Sequence, residues 1–342
     1  MKARRADSFP EAVQRVAFRV IMNLPAPVQR RLAGAPVQRD GEVLAVETQL
    51  MLRLARLAGQ GMRGQIDIEA GRRLLSRQCA LAGGRQPVGS VRSLTAGGRP
   101  ARLYVPTGAP ALGPLLVFVH GGGFVYGDLD SHDAACRLLS ERSGARILAI
   151  DYRLAPEHPF PAAYEDVLTA FEWAYENAER LGADQERIGI GGDSAGGNLA
   201  AGVALAVGGR CAFQLLLYPA TTHDHDTPSG RLFAQGFFLT AEFMEFVGRC
   251  YLTTREDAED PRFHLMRAEV PDDVAPAYVA TAGFDPLRDE GEAYAHKLEE
   301  AGGKVELRRF GDQIHGFLNV LAGGRSAKGA VLEIADVLRT RL

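Results

Sequence analysis

The sequence has few cysteines and no apolar run that approaches the length of a membrane span. Its four cysteines are scattered, without a CxxC pair or the spacing of a metal site: Cys79, Cys136, Cys211 and Cys250. Three of them lie in apolar or helical stretches, so we expect free, buried thiols in a reducing compartment. The absence of a long apolar run predicts that the chain makes no stable membrane insertion.

An excess of charge of one sign is also missing. The chain has 39 lysines and arginines against 42 acidic residues, a net charge of −3. This total gives no electrostatic reason to expect a nucleic acid or an anionic membrane surface as a partner. Residues 1–5 are basic, but Arg15 and Arg19 interrupt the apolar residues that follow, which argues against a secretion signal. We therefore expect a cytoplasmic protein.

With 342 residues, the chain could form two average domains or one large α/β domain with an insertion. Residues 1–90 read as amphipathic helices, at Phe9–Leu24, Leu44–Leu57 and Ile68–Ala82, with prolines between the first two. The first helix has four apolar residues on one face: Val13, Val16, Ala17 and Val20. Such faces need something to cover, and a lid over a cleft would supply it, although an independent helical bundle is the alternative.

From residue 91 onwards, strands alternate with helices. This alternation predicts an α/β fold with a mostly parallel sheet and helices on both of its faces. The pattern covers 91–220 and resumes at 262–342. Between these parts, residues 221–261 form a polar loop and a phenylalanine-rich segment whose helix begins at Thr240. Right-handed crossovers place the carboxyl ends of the strands at one edge of the sheet, which predicts that the residues following them meet there: His120, Asp151 and Ser194.

A Gly-x-Ser-x-Gly motif, Gly192 to Gly196, stands between an apolar run and a helical run of small residues. Strand, sharp turn and helix are the context in which the serine of this motif is an exposed nucleophile. The two glycines remove Cβ atoms that would clash in the turn, and the helix that begins at Ser194 favours developing negative charge. The alternative is an ordinary glycine-rich turn.

A serine nucleophile needs a base and a carboxylate that orients the base, in the order serine, acid, histidine. His315 lies in a glycine-flanked loop just past a strand, whereas a surface histidine is the alternative. Asp285 directly follows a strand, and we predict it as the acid. Asp289 is less suitable because it begins a helix, and Asp312 because we expect it to face solvent.

The tetrahedral oxyanion of acyl transfer needs donors, and His120-Gly121-Gly122-Gly123 follows a buried strand. We predict that the N–H groups of Gly122 and Gly123, together with that of Ala195, form the oxyanion hole. Gly121 and Phe124 are the predicted substrate-binding residues. A phosphate-binding loop is the alternative, but the segment has neither GxGxxG spacing nor a following Lys-Ser/Thr.

Five motifs in this order resemble the hormone-sensitive-lipase-like branch of the α/β-hydrolase esterases. They are HGGGF (120–124), YRLAPEHPFPAA (152–163), GDSAG (192–196), DPLRDEG (285–291) and HGF (315–317). The resemblance implies an α/β-hydrolase fold and a carboxylic-ester hydrolase with Ser194 as nucleophile, Asp285 as acid and His315 as base. It also implies a cap made of N-terminal helices and an insertion, which fits 1–90 and 221–261 around a core of 91–220 and 262–342.

The resemblance further indicates short- to medium-chain acyl esters as small-molecule substrates, no cofactor, and by analogy a homodimer through the last strand and helix. His223-Asp224-His225-Asp226 has metal-ligand residue types, but alternating residues of a polar loop seldom converge on one ion, so no metal site is predicted. We expect Asp193 to hold the turn, Glu157 and His158 to brace a loop, and His132 only to start a helix.

Three other functions stay open. An amidase or deacetylase would use the same triad on another leaving group. A triglyceride lipase would be activated at an oil–water interface. A non-catalytic ligand-binding protein would lack a working triad, whereas here all three positions are filled.

Overall fold

A computed structural model describes residues 9–59 and 67–342 of the chain. The basic start at residues 1–5, on which the expectation of a cytoplasmic location partly depends, lies outside these described residues. Within them, no helix combines the length and the apolar character that crossing a membrane requires.

One sheet of eight strands forms the centre of the fold, and a separate hairpin pairs β1 (Gln38–Arg39) with β2 (Glu42–Val43). The strand order of the eight-stranded sheet is β10-β9-β8-β7-β5-β6-β4-β3. The six strands from β10 to β6 run parallel, and β4 is antiparallel to both of its neighbours. The eight strands are β3 (Ser90–Ala96), β4 (Arg99–Val105), β5 (Gly113–Val119), β6 (Arg146–Ile150), β7 (Ala183–Asp193), β8 (Gln214–Leu217), β9 (Ala277–Phe284) and β10 (Val305–Ile314). The predicted mostly parallel sheet is confirmed.

Helices cover both faces of the sheet, so residues that point to either side of its strands are buried. Leu115 and Val117 of β5 pack with one layer of helices, and Leu116 and Phe118 pack with the other. The first layer contains α6 (Ala162–Glu176), α8 (Ala195–Val207) and α12 (Arg288–Glu300), and the second contains α5 (Asp133–Ser143) and α13 (Ser326–Arg341). The short α7 (Ala178–Leu181) leads into β7.

The N-terminal region contains four helices in its described part: α1 (Phe9–Met22), α2 (Ala26–Ala33), α3 (Val46–Leu57) and α4 (Ile68–Gly83). The insertion carries α9 (Pro228–Leu232), α10 (Ala241–Tyr251) and α11 (Arg255–Glu259). As predicted, the Thr240 side chain caps α10 by accepting a hydrogen bond from the N–H of Phe243. Sequence reasoning missed α2, because the prolines at 25 and 27 begin this helix instead of breaking it.

The orientation of α1 differs from the expectation. The face that carries Val13, Val16 and Val20 points to solvent. The exposed fractions of these three residues are 51%, 63% and 59% in that order. The opposite face packs inwards, where Met22 is buried and Phe18 lines a cavity. The larger side chains on that side fill the space beneath the helix, so the valine face covers no cleft.

Strand register brings the candidate residues to one edge of the sheet. Phe284 pairs with Ile314 across β9 and β10, so Asp285 and His315 each follow one member of an aligned pair. Val119 pairs with Gly192 across β5 and β7, which sets His120 beside the turn that contains Ser194. The predicted meeting of strand ends is therefore a direct result of parallel pairing.

Candidate active site

Ser194 occupies a strained turn between β7 and α8. Its φ is 57° and its ψ is −121°, values that a residue with a side chain seldom adopts. A Cβ atom on Gly196 would lie 2.1 Å from the carbonyl oxygen of Val119, so this position accepts only glycine. The Ser194 N–H is held by the carbonyl of Leu217 at 2.9 Å. The strained turn is thus fixed from both neighbouring strands.

The three residues predicted as a triad are hydrogen-bonded to one another. His315 Nε2 lies 2.9 Å from Ser194 Oγ, and His315 Nδ1 lies 2.7 Å from Asp285 Oδ2. Asp285 is fully buried, and its other oxygen accepts the N–H of Leu287 at 2.9 Å. With Nδ1–H donated to the carboxylate, Nε2 is the nitrogen that can accept the serine proton.

Neither rival carboxylate contacts His315. Asp289 instead accepts the N–H of Ser229 at 2.8 Å and the guanidinium of Arg288 at 2.9 Å. The expectation that Asp312 faces solvent is wrong, because this residue is half-buried and hydrogen-bonded to the Ser326 hydroxyl.

The loop after β5 brings backbone donors to the serine turn. Gly122 and Gly123 have φ values of 128° and 62°. Among the described residues, the N–H groups of Gly122, Gly123 and Ala195 have no acceptor. The Gly121 N–H, in contrast, donates to Asp193 Oδ1 at 2.8 Å. In the described part of the chain, three backbone N–H groups without an acceptor therefore lie next to the Gly121 N–H, which is bound to Asp193.

Asp193 holds this loop against the serine turn, as predicted. Besides Gly121, its carboxylate contacts His132 Nε2 at 3.1 Å and the Tyr218 hydroxyl at 3.4 Å. Burial alone would raise the pKa of Asp193, but the charge and hydrogen bond of His132 and the Gly121 N–H together lower it. The prediction that His132 only starts a helix is wrong, because its buried ring supports Asp193. Sequence offered no signal for this contact.

His120 braces the same loop from below. Its ring stacks on Tyr152 with 4.4 Å between ring centroids, and the Tyr152 hydroxyl donates to the His120 carbonyl at 2.9 Å. Burial and the nearby His132 lower the pKa of His120 to about 4. The ring is therefore neutral at physiological pH and adds no charge beside the oxyanion donors.

A cavity of about 1260 Å3 opens at the serine and histidine. Its floor includes Gly121 and Phe124, the two predicted substrate-binding residues, and Phe124 stacks on Tyr251 with 3.9 Å between ring centroids. Its walls come from α3, α4 and α10 together with the segment before α10. The N-terminal region and the insertion thus enclose the space in which the candidate nucleophile lies.

Sequence reasoning did not single out Phe238, which also lines the cavity. Its φ is 80°, and the N–H of Leu239 donates to the carbonyl of Phe237 at 3.2 Å, the features of a strained γ-turn. A Cβ atom on Gly316 would lie 3.1 Å from Phe238 Cε1, so the ring reaches the residue next to His315. The only signal was the run of phenylalanines in the insertion.

Of the two histidines of the polar loop, His225 binds a protein carboxylate, and His223 packs its ring against that of His264 with 5.5 Å between ring centroids. His225 Nδ1 lies 2.7 Å from the buried Glu290 carboxylate, which also accepts the N–H of Thr221 at 2.8 Å. Within residues 9–59 and 67–342, no group of three histidine, cysteine or acidic residues is arranged to hold a metal ion. Glu157, expected to brace its loop, forms a 2.7 Å ion pair with Arg72 of α4.

A family model described as the alpha/beta hydrolase fold matches residues 116–319, which include Ser194, Asp285 and His315. The chain belongs to the hormone-sensitive-lipase-like esterases of the α/β-hydrolase superfamily. This esterase is 43% identical to the carboxylic ester hydrolase LipN of Mycobacterium tuberculosis, over 96% of this chain and 92% of that protein. It is 40% identical to an ethyl acetate hydrolase of Pseudomonas putida, over 69% of this chain and 74% of that protein.

Solved structures give the same result. A hyperthermophilic esterase from Pyrobaculum calidifontis superposes with a TM-score of 0.81 at 37% identity, covering 87% of this chain and 98% of that one. The protein is therefore a carboxylic-ester hydrolase with the α/β-hydrolase fold.

Proposed function

We propose that this esterase cleaves short- to medium-chain acyl esters through an acyl-enzyme intermediate on Ser194. In the first step Ser194 Oγ attacks the ester carbonyl while His315 takes its proton, and the alcohol leaves with that proton. In the second step His315 activates water, which releases the acid and restores the serine. Asp285 orients His315 and stabilises its charged form.

The observation that carries this proposal is the unbroken chain of contacts from Ser194 through His315 to Asp285, at 2.9 and 2.7 Å. Because the acid is buried and its second oxygen is occupied by Leu287 N–H, it has one orientation in which to meet the imidazole. The acceptor-free N–H groups of Gly122, Gly123 and Ala195 are suited to the oxyanion, and Gly121 and Phe124 to contacts with the substrate.

The proposal includes a cap formed by residues 1–90 and 221–261 on a core formed by 91–220 and 262–342. Support comes from the side chains of α3, α4 and α10 that line the cavity. A small acyl group is supported by the Pseudomonas relative, named as an ethyl acetate hydrolase.

We also propose a cytoplasmic location and a homodimer. Cys79, Cys136, Cys211 and Cys250 are all free, which suits a reducing compartment. In the described part of the chain, β10 is an edge strand of the sheet, and beyond the Asp312 carbonyl, which accepts the N–H of Ala45 at 3.0 Å, its outer side has no strand partner. This free edge suits the predicted association through β10 and α13. Light scattering of the purified chain tests the dimer.

Hydrolysis of p-nitrophenyl esters from acetate to palmitate, by the wild type and Ser194→Ala, tests the chemistry. We expect turnover to peak at short or medium chains and to fall by about 10⁶-fold in the variant, as in serine hydrolases whose nucleophile is removed. A folded variant that keeps its turnover would exclude Ser194 as the nucleophile. Greater activity on matched amides than on esters would instead favour the amidase alternative.

A further inference from the structure

Positive charge is concentrated in the N-terminal region of this esterase. Residues 1–90 contain 15 basic and 7 acidic residues, a formal charge of +8, whereas residues 91–342 contain 24 basic and 35 acidic residues, a charge of −11. Fourteen of the 15 basic residues are arginines. The small net charge of the whole chain therefore conceals a strongly basic helical region on an acidic core. Such asymmetry is typical of proteins that meet an anionic surface.

The same region exposes apolar side chains. Among the described residues, nine of the twelve large hydrophobic residues that are exposed to solvent belong to the first 90 positions. Val13, Val16 and Val20 form a stripe on α1, Val28 and Leu32 lie one turn apart on α2, and Leu57 of α3 is 76% exposed. Isolated exposed hydrophobics are ordinary, but a concentration on neighbouring helices marks an interaction surface.

A basic concavity adjoins the valine stripe. It has a volume of about 450 Å3, and the charged side chains that line it are all positive: Arg19, Arg85, Arg325 and Lys328. Arg19 lies on α1, directly before Val20 in the chain. No ion pair to any of these four side chains is present in the part of the chain that the structure describes. Guanidinium groups arranged in this way suit phosphate oxygens, which they bind by paired hydrogen bonds.

The entrance of the catalytic cavity belongs to the same layer of helices. Leu54 of α3 and Leu74 of α4 are 37% and 43% exposed, and both also line the cavity that contains Ser194. A surface that bound α1 to α4 would thus lie beside the route by which an ester reaches the nucleophile.

We propose that α1 to α4, together with the adjoining basic concavity that Arg85, Arg325 and Lys328 complete, form a docking surface for a membrane that contains anionic phospholipid, with the valines among the acyl chains and the cationic side chains on the phosphates. A second copy of the chain fits less well, because a symmetric contact would bring two regions of charge +8 together. The distribution of charge thus reverses the expectation drawn from its total. This docking does not depend on the roles proposed for the triad.

The test is co-sedimentation of the full chain with vesicles of phosphatidylcholine alone or mixed with phosphatidylglycerol, at low and high salt. We expect binding to the mixed vesicles at low salt and release at high salt, since each basic residue near an anionic surface contributes about a fivefold gain in partitioning. Arg19→Glu with Arg85→Glu should weaken partitioning by more than about tenfold, and Val16→Asp with Val20→Asp by a comparable factor.

Matched variants on the core are the controls. Arg210→Glu with Arg339→Glu makes the same change of charge, and Leu112→Asp places a carboxylate at a hydrophobic side chain that is 55% exposed. Both controls should bind vesicles like the wild type. Thermal unfolding and hydrolysis of dissolved p-nitrophenyl acetate, measured for every variant, establish that each is folded.

Three results would overturn the docking surface. The first is equal binding to neutral and anionic vesicles, or equal losses in the core and N-terminal variants. The second is binding of inorganic phosphate at the Arg19 concavity by a protein that does not bind vesicles, which would make the concavity a site for free phosphate. The third is a dimer that Val16→Asp with Val20→Asp dissociates, which would assign the surface to a second copy.

Discussion

At the scale of single residues, Phe238 combines a positive φ with a ring that borders the cavity beside His315. In the proposed cycle His315 passes its proton to the departing alcohol, so the alcohol would leave on the histidine side of the serine. Phe238→Ala should therefore raise kcat/KM for esters of bulky alcohols by about tenfold or more, since a single methylene group in a pocket is worth about that factor. The acyl-chain profile should change little. Two ester series, one varied in the alcohol and one in the acid, measure this.

Phe246→Ala is the matched control for that substitution, because this residue lies on α10 but does not line the cavity. A change confined to the acyl series would contradict the assignment of the Phe238 ring to the alcohol side.

The backbone of Phe238 supports a separate prediction. Phe238→Gly should be more stable than Phe238→Ala by about 1 kcal/mol, since glycine adopts the positive φ without strain. Urea unfolding of the two variants compares them directly.

We expect Asp193 to be a positioning residue that acts through the Gly121 N–H, whose hydrogen bond it accepts. Asp193→Ala frees the loop that carries the Gly122 and Gly123 donors, so kcat should fall by about 10- to 100-fold, somewhat less than the loss of a donor itself. KM should change little. Asp193→Asn keeps an oxygen that can accept the N–H and should recover part of kcat.

Active-site titration with a phosphonate ester must accompany these assays. It separates slower turnover from a smaller fraction of folded enzyme. If the alanine variant equals the wild type per titrated site, Asp193 supports only folding.

At this scale the meeting of the three proposed triad residues was predictable, and the residues that support them were not. Ser194, Asp285 and His315 stand in motifs directly after strands, so their order along the chain was sufficient. His132 reaches Asp193 from the start of a different helix, and Phe238 reaches Gly316 from the insertion. Both contacts depend on how separate elements pack, which no local pattern encodes.

At the scale of elements, the His225–Glu290 pair ties the insertion to α12, the helix that follows Asp285. Burial lowers the pKa of His225, but the charge and hydrogen bond of Glu290 together with the charges of Asp224 and Asp285 outweigh it, so the pKa is raised. Its contribution to stability is therefore complete below the ordinary histidine pKa and is lost as the pH rises through the raised value. His225→Gln should reduce the Tm most at about pH 6 and least at about pH 9.

His296→Gln is the control for the predicted pH dependence of the Tm deficit in His225→Gln. His296 is an exposed histidine of α12, 3.6 Å from Glu299, and a pair of this kind contributes little. Its effect on Tm should be small at every pH. A His225→Gln deficit that stayed constant from acid to alkaline pH would show that the imidazole acts by shape and not by charge.

Elements with a strong period were predicted well, and those set by packing were not. The helices α3 and α4 lie close to their predicted bounds, and the strands of the eight-stranded sheet fall, to within one residue, in the two ranges predicted to alternate strands with helices. The orientation of α1 was wrong because two faces of that helix compete for burial, and its bulkier Phe18 and Met22 face inwards. Hydrophobic spacing identifies a helix, but side-chain volume decides which face is buried.

At the scale of the whole molecule, separation of charge has a consequence for ion exchange. A protein of net charge −3 is expected to pass through a cation exchanger at neutral pH. We expect this chain to be retained at low salt by its basic helices. Arg19→Glu with Arg85→Glu should elute at clearly lower salt than Arg210→Glu with Arg339→Glu, although the two variants have equal net charge. Equal elution would mean that no patch dominates.

The parallel register at the end of β9 and β10 has a further use. The proposed nucleophile, acid and base follow strands that start as far apart as residues 183 and 305, so no early hairpin can assemble them. Esterase activity therefore reports when the last long-range strand pairing forms. A chain whose β10 slipped by one residue against β9 would carry His315 away from Asp285 and would not regain activity. During refolding, helical signal should return first and turnover last, and the interval between them would measure how long the sheet takes to find its register.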